Sequence, residues 1–257
     1  VLWLAERLSG LGLRVGVVSR GYGRRGAGPR RVAAGDPPAE VGDEPALLAR
    51  RLRLPVAVAA RRADAVRLIE GECDVILSDD GLQHHALARD VEIVVVDGRR
   101  GLGNGWRLPA GPLREPAARL AAVDAVVVNG PGFERAGAIR MALEPLRFVE
   151  LASGAEAPPS AFAGTRVRGV AALGHPDRFF ALLRDLGAEP IEHRFRDHAA
   201  LRAADIAFGD GLPVLMTEKD AVKCQGFAPK GAWYLEVGAR LVGEGERRLL
   251  AALEAAV

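Results

Sequence analysis

CDVILSDDGLQHH, residues 73–85, decides how the rest of the sequence reads. The apolar run at 73–77 carries the marks of a buried strand and gives way after Ser78 to two adjacent carboxylates, Asp79 and Asp80. Gly81 then turns the chain into Gln83, His84 and His85. Open α/β sheets place ligands at the C-terminal ends of parallel strands, where this pair would sit. Neighbouring carboxylates repel each other and suit a divalent cation such as Mg²⁺, which takes hard oxygen ligands. The plainer reading is an exposed Asp-Asp-Gly turn, since Asp hydrogen-bonds its own backbone there. The surrounding sequence has to choose between them.

Outward from this stretch, strand-like runs at 14–18, 56–59, 74–77, 92–96 and 125–129 alternate with helical stretches at 45–53, 64–70 and 117–122. That alternation predicts an α/β fold with a mostly parallel sheet and helices on both faces. The strands end in Ser19-Arg20-Gly21, Ser78-Asp79-Asp80, Asp97-Gly98-Arg99 and Asn129-Gly130, and these ends are expected to line one edge. Residues 151–165 are small, Pro-bearing and unpatterned, as in a linker. A second, smaller α/β block should follow, with strands at 167–172, 190–194 and 213–217 and helices at 176–186, 199–208 and 244–256. The expected division is therefore 1–160 and 161–257, the second part closing over a site on the first.

Bulk properties exclude several classes. The 257 residues, 49% hydrophobic and 26% charged, are those of a folded globular protein. A net charge of +2 gives no argument for nucleic acid, although 32 of the 35 basic residues are arginine. The two cysteines, Cys73 and Cys224, make neither a disulfide framework nor a zinc pattern, so a reducing, cytosolic-side setting is expected. No apolar run reaches the roughly 18 residues needed to span a bilayer, and no secretory signal pattern is read. The chain opens with Val1 and a helix carrying Leu4, Leu8 and Leu11 that feeds a buried strand. In a βαβ unit a strand precedes such a helix, so the sequence reads as lacking its true N-terminus.

Seven segments, in order, carry a more specific signal: VGVVSRGYG (15–23), VGDEP (41–45), SDDGLQHHALARDVEIVVVDG (78–98), GNGWRLPAGPLRE (103–115), GHPDRFF (174–180), DH (197–198) and MTEKDAVKC (216–224). Together they resemble tetraacyldisaccharide 4'-kinases, the lipid A 4'-kinases of Gram-negative bacteria. The pairing of DDGLQH with LPAGPLRE is the most specific part. The resemblance implies a P-loop-NTPase-like fold and transfer of the ATP γ-phosphate, with Mg²⁺, to the 4'-hydroxyl of a tetraacyldisaccharide 1-phosphate. It further implies peripheral contact with the membrane at the cytosolic face of the inner membrane. One departure stands out: no G-x-x-x-x-G-K-[ST] run occurs in the sequence, and the family's spacing would put that loop just before Val1. The family's amino-terminal membrane-associating segment is likewise not in the sequence. The expectation is a truncated chain, or one unable to perform the family reaction as it stands.

Carried over position by position, the resemblance makes Asp79 and Asp80 the Walker-B-like pair that holds Mg²⁺. It makes Asp43 the catalytic base, Glu44 a residue near Mg²⁺ and ATP, and His198 the histidine paired with the base. Arg20, Tyr22, Arg62, Gln83, His84, Asn104 and Arg114 become substrate-binding positions, with Arg114 suited to a bidentate phosphate clamp. Residue chemistry alone leaves other readings open. Asp43 suits a helix cap, with Glu44 favoured by the dipole and Pro45 in the first turn. Arg20, Arg24, Arg25, Arg30 and Arg31 make either a solvated basic loop or a surface for an anionic partner. Glu115 suits an ion pair with Arg114. Thr217-Glu218-Lys219-Asp220 suits a helix cap followed by exposed charges, or a secondary nucleotide contact through Lys219. The functional rivals are a GTPase-like nucleotide hydrolase and a non-catalytic nucleotide- or glycolipid-binding module.

Overall fold

The structure, a computed structural model, describes residues 1–254, so the last two positions of the helix expected at 244–256 lie outside the described residues. In chain order the elements begin α1 (Leu2–Gly10), β1 (Val15–Ser19), β2 (Arg30–Arg31), α2 (Pro38–Val41), α3 (Asp43–Arg51), β3 (Val56–Val58), α4 (Arg62–Ile69) and β4 (Val75–Ser78). Next come β5 (Ile93–Asp97), β6 (Ala125–Asn129), β7 (Ile139–Glu150), β8 (Glu156–Ala157) and β9 (Arg166–Ala171). The chain continues through α5 (Pro176–Asp185), β10 (Glu189–Arg194), α6 (Ala203–Ile206), β11 (Val214–Thr217), α7 (Glu218–Cys224), β12 (Ala232–Leu241) and α8 (Gly245–Glu254). Two compact units result: Val1–Gly81 with Pro145–Val237, and Leu82–Glu144 with the residues from Gly238 onward.

In the first unit β1 is central. All five of its residues are buried, as expected of a strand covered on both faces. β3 and β4 flank it in parallel and β2 pairs antiparallel with β3, giving the order β2-β3-β1-β4. The register pairs Val18 with Ser78, so the next residues, Ser19 and Asp79, emerge at the same edge. α4 packs Ala65 and Ile69 against Val18 and Ala57. A second sheet of this unit runs β10-β9-β11-β12, all parallel. There α5 buries Phe179, Phe180 and Leu183 against Val167, Ala171 and Leu215.

In the second unit β5 and β6 pair in parallel from Ile93–Ala125 to Asp97–Asn129, and β6 pairs with the start of β7. Val96, Leu120, Val126 and Val128 form its core.

The fold class is as expected, and several elements are not. The five strands expected before residue 130 divide between two sheets, because β5 and β6 take β7 as their neighbour rather than β4. β7 goes unread in the sequence because Glu144-Pro145 interrupts it and its apolar residues alternate poorly: Ile139, Phe148 and Val149 are buried while Leu143 and Leu146 are exposed. Within the expected linker, β8 pairs back onto β7. The expected helix at 199–208 shrinks to α6, and the stretch at 117–122 is a 3₁₀ turn, Ala117–Ala121. β12, with a buried Glu236 in its middle, was also illegible.

Candidate active site

The site begins where α3 begins. Gly42 precedes it with φ 98°, and a Cβ there would come 3.0 Å from Gly21 Cα, so only glycine lets the loop after β1 lie against this helix end. Gly42 occupies the N-cap, no side chain caps the helix, and Asp43 is its first residue. The capping role is thus not the one Asp43 takes. Its carboxylate and that of Glu44 still sit where the helix dipole favours negative charge.

α7 lies alongside with matching charges. Lys219 Nζ is 2.6 Å from Glu44, Lys223 Nζ is 3.6 Å from Asp43 Oδ2, and Arg51 at the far end of α3 is 2.9 Å from Glu218. Thr217 caps α7, its hydroxyl accepting from the Asp220 backbone N–H at 3.2 Å. The charges after that cap are not exposed: Glu218 is buried and Asp220 fully so. Asp220 accepts from Thr217 Oγ1 at 2.7 Å and from the Ala172 backbone at 3.0 Å, and holds Lys223 at 3.0 Å. Lys223 is only 6% exposed, so Asp43 faces a cation fixed in place from behind. Burial would push the Glu44 carboxyl up, but the Lys219 ammonium outweighs it and holds the group below the ordinary carboxylate range.

His198, held at φ 57°, brings its Nδ1 to 3.1 Å from Asp43 Oδ2. A carboxylate only accepts, so Nδ1 carries the hydrogen. Nε2 lies 3.4 Å from Lys219 Nζ and 3.8 Å from Asp197 Oδ1. Tyr22, largely exposed, sets its ring edge-on to His198 at 5.6 Å. Asp43, His198, Tyr22, Arg25 and Lys223 line a cleft of about 540 Å³.

The acidic turn after β4 shares this edge. The Asp79 backbone N–H donates to Val18, and Ser19 Oγ lies 3.3 Å from Asp79 Oδ2. Burial pushes the Asp79 carboxyl above its ordinary range, and the negative charge of Glu44 adds to the effect. Asp80 adopts φ 46°. Arg62 is 5% exposed and donates to the carbonyls of Asp79 and Asp80 at 3.3 and 3.0 Å, bracing the turn from below. Arg20 follows β1 on the exposed side.

Magnesium fits this donor set: Asp79 is a hard-oxygen ligand whose burial disfavours its charge, with Asp80 beside it. Among the described residues no three His, Cys, Asp or Glu side chains cluster as a ready-made metal cage. A nucleotide-bound magnesium needs only one or two carboxylates, because phosphates and water complete its shell. Glu44, the third expected ligand, is engaged by Lys219.

The second unit holds the other expected residues. Gln83 donates to Glu115 at 2.9 Å and accepts from Arg114 at 3.3 Å, so it bridges the two. Glu115 also pairs with Arg119 at 3.2 Å. Asn104 donates to Ala110 O at 2.9 Å and accepts from Trp106 N at 3.1 Å, which makes it a brace inside its own loop. His84 lies half-buried, its carbonyl accepting from Leu87. In the basic loop, Arg30 pairs with Asp36 and Glu40 and Arg31 with Glu72, so much of its charge is met internally.

A family model described as tetraacyldisaccharide-1-P 4'-kinase, LpxK, matches residues 1–257. The chain belongs to this family. A tetraacyldisaccharide 4'-kinase of Alkalilimnicola ehrlichii is 52% identical over 260 residues, covering 98% of this chain and 77% of the relative. One from Azotobacter vinelandii is 51% identical over 243 residues, 93% of this chain and 73% of the relative. A crystal structure of LpxK from Aquifex aeolicus in complex with ATP superimposes with a TM-score of 0.80 at 28% identity, covering 99% of this chain and 82% of that one. The α/β fold of this LpxK family member therefore has a solved counterpart.

Sequence reasoning missed Lys223 and Asp220. The one available signal was the helical spacing in TEKDAVK, which sets Asp220 and Lys223 three apart and Lys219 and Lys223 four apart, on one face.

Proposed function

We propose that the chain transfers the γ-phosphate of ATP to the 4'-hydroxyl of a tetraacyldisaccharide 1-phosphate. The observation that carries this reading is the 3.1 Å pair of Asp43 and His198, set at the same sheet edge as the Asp79-Asp80 turn. In the reaction a bond forms between the 4'-oxygen and the γ-phosphorus while the bond to the bridging oxygen of ADP breaks. The hydroxyl proton passes to Asp43. His198 and Lys223 both approach Oδ2, so Oδ1 is the oxygen that takes the proton. His198 orients the carboxylate and Lys223 keeps it in register with α7. Asp79 and Asp80 would hold Mg²⁺, which when bound neutralises charge on the β- and γ-phosphates. Arg20 and Tyr22 face the glycolipid, Arg62 supports the acidic turn, and Gln83, His84, Asn104 and Arg114 are further substrate-binding positions. The protein works as a peripheral enzyme at the cytosolic face of the inner membrane; among the described residues no helix is long and apolar enough to cross a membrane.

Transfer of labelled γ-phosphate to tetraacyldisaccharide 1-phosphate, measured on the full gene product, tests the reading. Product should depend on both Asp43 and His198. ADP formation at the same rate without the sugar acceptor would overturn the kinase and favour a nucleotide hydrolase. Absence of ATP binding would favour the non-catalytic module.

A further inference from the structure

We propose that Arg25 grips the acceptor's own phosphate, at position 1 of the disaccharide, and so makes the enzyme select a phosphorylated acceptor. This inference rests on the transfer reaction proposed above and adds the residue that reads the far end of its sugar. Arg25 lines the cleft that holds Asp43, His198 and Tyr22. The cleft's volume of about 540 Å³ lies in the range of roughly 300–1,000 Å³ typical of small-molecule sites. Much of the remaining wall is apolar: Pro37, Pro38, Ala39, Leu201 and Val222. Such a wall suits the faces of sugar rings, while a few polar groups fix their orientation. Among the described residues, Asp79, Asp80 and Arg62 do not line it, so the cleft belongs to the acceptor and not to the nucleotide.

The other arginines of the loop after β1 are engaged elsewhere. Arg24 donates to the Gly28 carbonyl, Arg30 to Asp36 and Glu40, and Arg31 to Glu72 and the Leu68 carbonyl. Arg20 does not line the cleft, and its charge acts on Arg62 beneath the acidic turn. Arg25 differs from these four: it lines the cleft, and its side chain makes no hydrogen bond or ion pair with the described residues. Its main chain is fixed even so. The Arg25 N–H donates to Ala39 O at 2.7 Å, which ties it to α2, the short helix just before Asp43. Lys223, the other cation of the cleft, is held by Asp220 at 3.0 Å and faces Asp43. A guanidinium with its donors open is a planar fork that matches phosphate bidentately. The acceptor thus offers two groups that this cleft can tell apart: a hydroxyl for Asp43, and a phosphate at the opposite end of the disaccharide for Arg25.

Steady-state transfer by the full gene product, with tetraacyldisaccharide 1-phosphate and with the same lipid lacking its 1-phosphate, tests the proposal. The native enzyme should prefer the phosphorylated lipid in kcat/KM by about 10²-fold, the weight of a bidentate charge-assisted pair. Arg25→Met should remove most of that preference by raising KM for the phosphorylated lipid. It should leave kcat/KM on the other lipid, and KM for ATP, within about twofold of the parent. Arg25→Lys, a point charge without the fork, should keep an intermediate preference. Melting temperatures should match the parent's in both variants, since Arg25 is exposed. A preference that survives in Arg25→Met overturns the assignment, and so does a native enzyme that handles both lipids equally. Equal loss on both lipids with a raised KM for ATP overturns it in favour of a contact to the transferring phosphate. In each of those cases the kinase reading stands. No transfer by the native protein to either lipid overturns that reading itself.

Discussion

Two acidic centres lie at one edge of the first unit, and they are built in opposite ways. Asp43 is surrounded by donors: His198 at 3.1 Å, Lys223 at 3.6 Å, and the N-terminus of α3 beneath it. Asp79 has the Ser19 hydroxyl at 3.3 Å, and the nearby Arg62 turns its guanidinium to main-chain carbonyls. One carboxylate is positioned before any substrate arrives. The other carries charge that its surroundings disfavour. On the function proposed above, the contrast separates the work of orienting a base from that of receiving a cation with its nucleotide, and it orders the effects expected of substitutions.

Asp43→Ala should lower kcat by about 10³-fold or more, the scale of a lost general base, with little change in the KM for ATP. Asp79→Asn should cost roughly 10²-fold and should shift the concentration of Mg²⁺ needed for half-maximal rate, which Asp43→Ala should leave alone. Phosphoryl-transfer assays over a Mg²⁺ series distinguish the two. If the Asp43 variant moved the magnesium requirement and the Asp79 variant did not, the roles given to the two centres would be reversed.

Lys223 sharpens the orienting side. Lys223→Met removes the cation between Asp220 and Asp43 without touching His198, and should reduce kcat by up to about 10²-fold through misplacement of the base. The KM for ATP should stay near that of the parent, and Lys223→Arg should recover part of the rate. A Met variant with full kcat would leave His198 as the sole positioning partner. Equal loss in both variants would point to damage in α7 packing instead.

Legibility in the sequence follows the same divide. The acidic turn was readable because strand, carboxylates and glycine are contiguous, and the strand order places Ser19 and Asp79 together whatever the side chains do. Asp43 and His198 were named from motif resemblance, yet nothing local announces that residues 155 apart in sequence meet. The charges of α7 misled because Glu218, Lys219, Asp220 and Lys223 look like a solvated helix face. They are buried or nearly so because α3 offers Glu218, Lys219 and Lys223 a partner each while Thr217, Lys223 and the Ala172 backbone satisfy Asp220, and pairing of that kind is a property of the packed elements, not of any one sequence. β7 and β12 were invisible for a related reason: a proline and a buried glutamate break the apolar pattern, and neighbouring strands restore the element.

The smallest expected effect on the chemistry, and a distinct one on stability, lies at the other end of the α3–α7 contact. Glu218, the first residue of α7, is 7% exposed and lies 2.9 Å from Arg51, with Arg50, Glu236 and Tyr234 also near it. Burial pushes its carboxyl up to about 7 despite the pull of Arg51. In the unfolded chain the group titrates near 4.5. Between those two values the native state holds a proton that the unfolded state has released, so its contribution to stability is full below the lower value and falls as pH rises through the window. Glu218→Gln fixes the neutral form. Melting temperature measured between about pH 5 and pH 8 should therefore fall less steeply for the variant than for the parent, the two differing most at the alkaline end. The transfer rate should stay within about twofold of the parent, since Arg51 retains Glu236 at 3.3 Å and the Asp43 end of the helix pair is untouched. An unchanged slope would mean that Glu218 is ionised throughout and that the Arg51 pair, not burial, governs it. A large loss of rate would mean that the two ends of α3 are coupled, and that the orienting centre extends the full length of the helix.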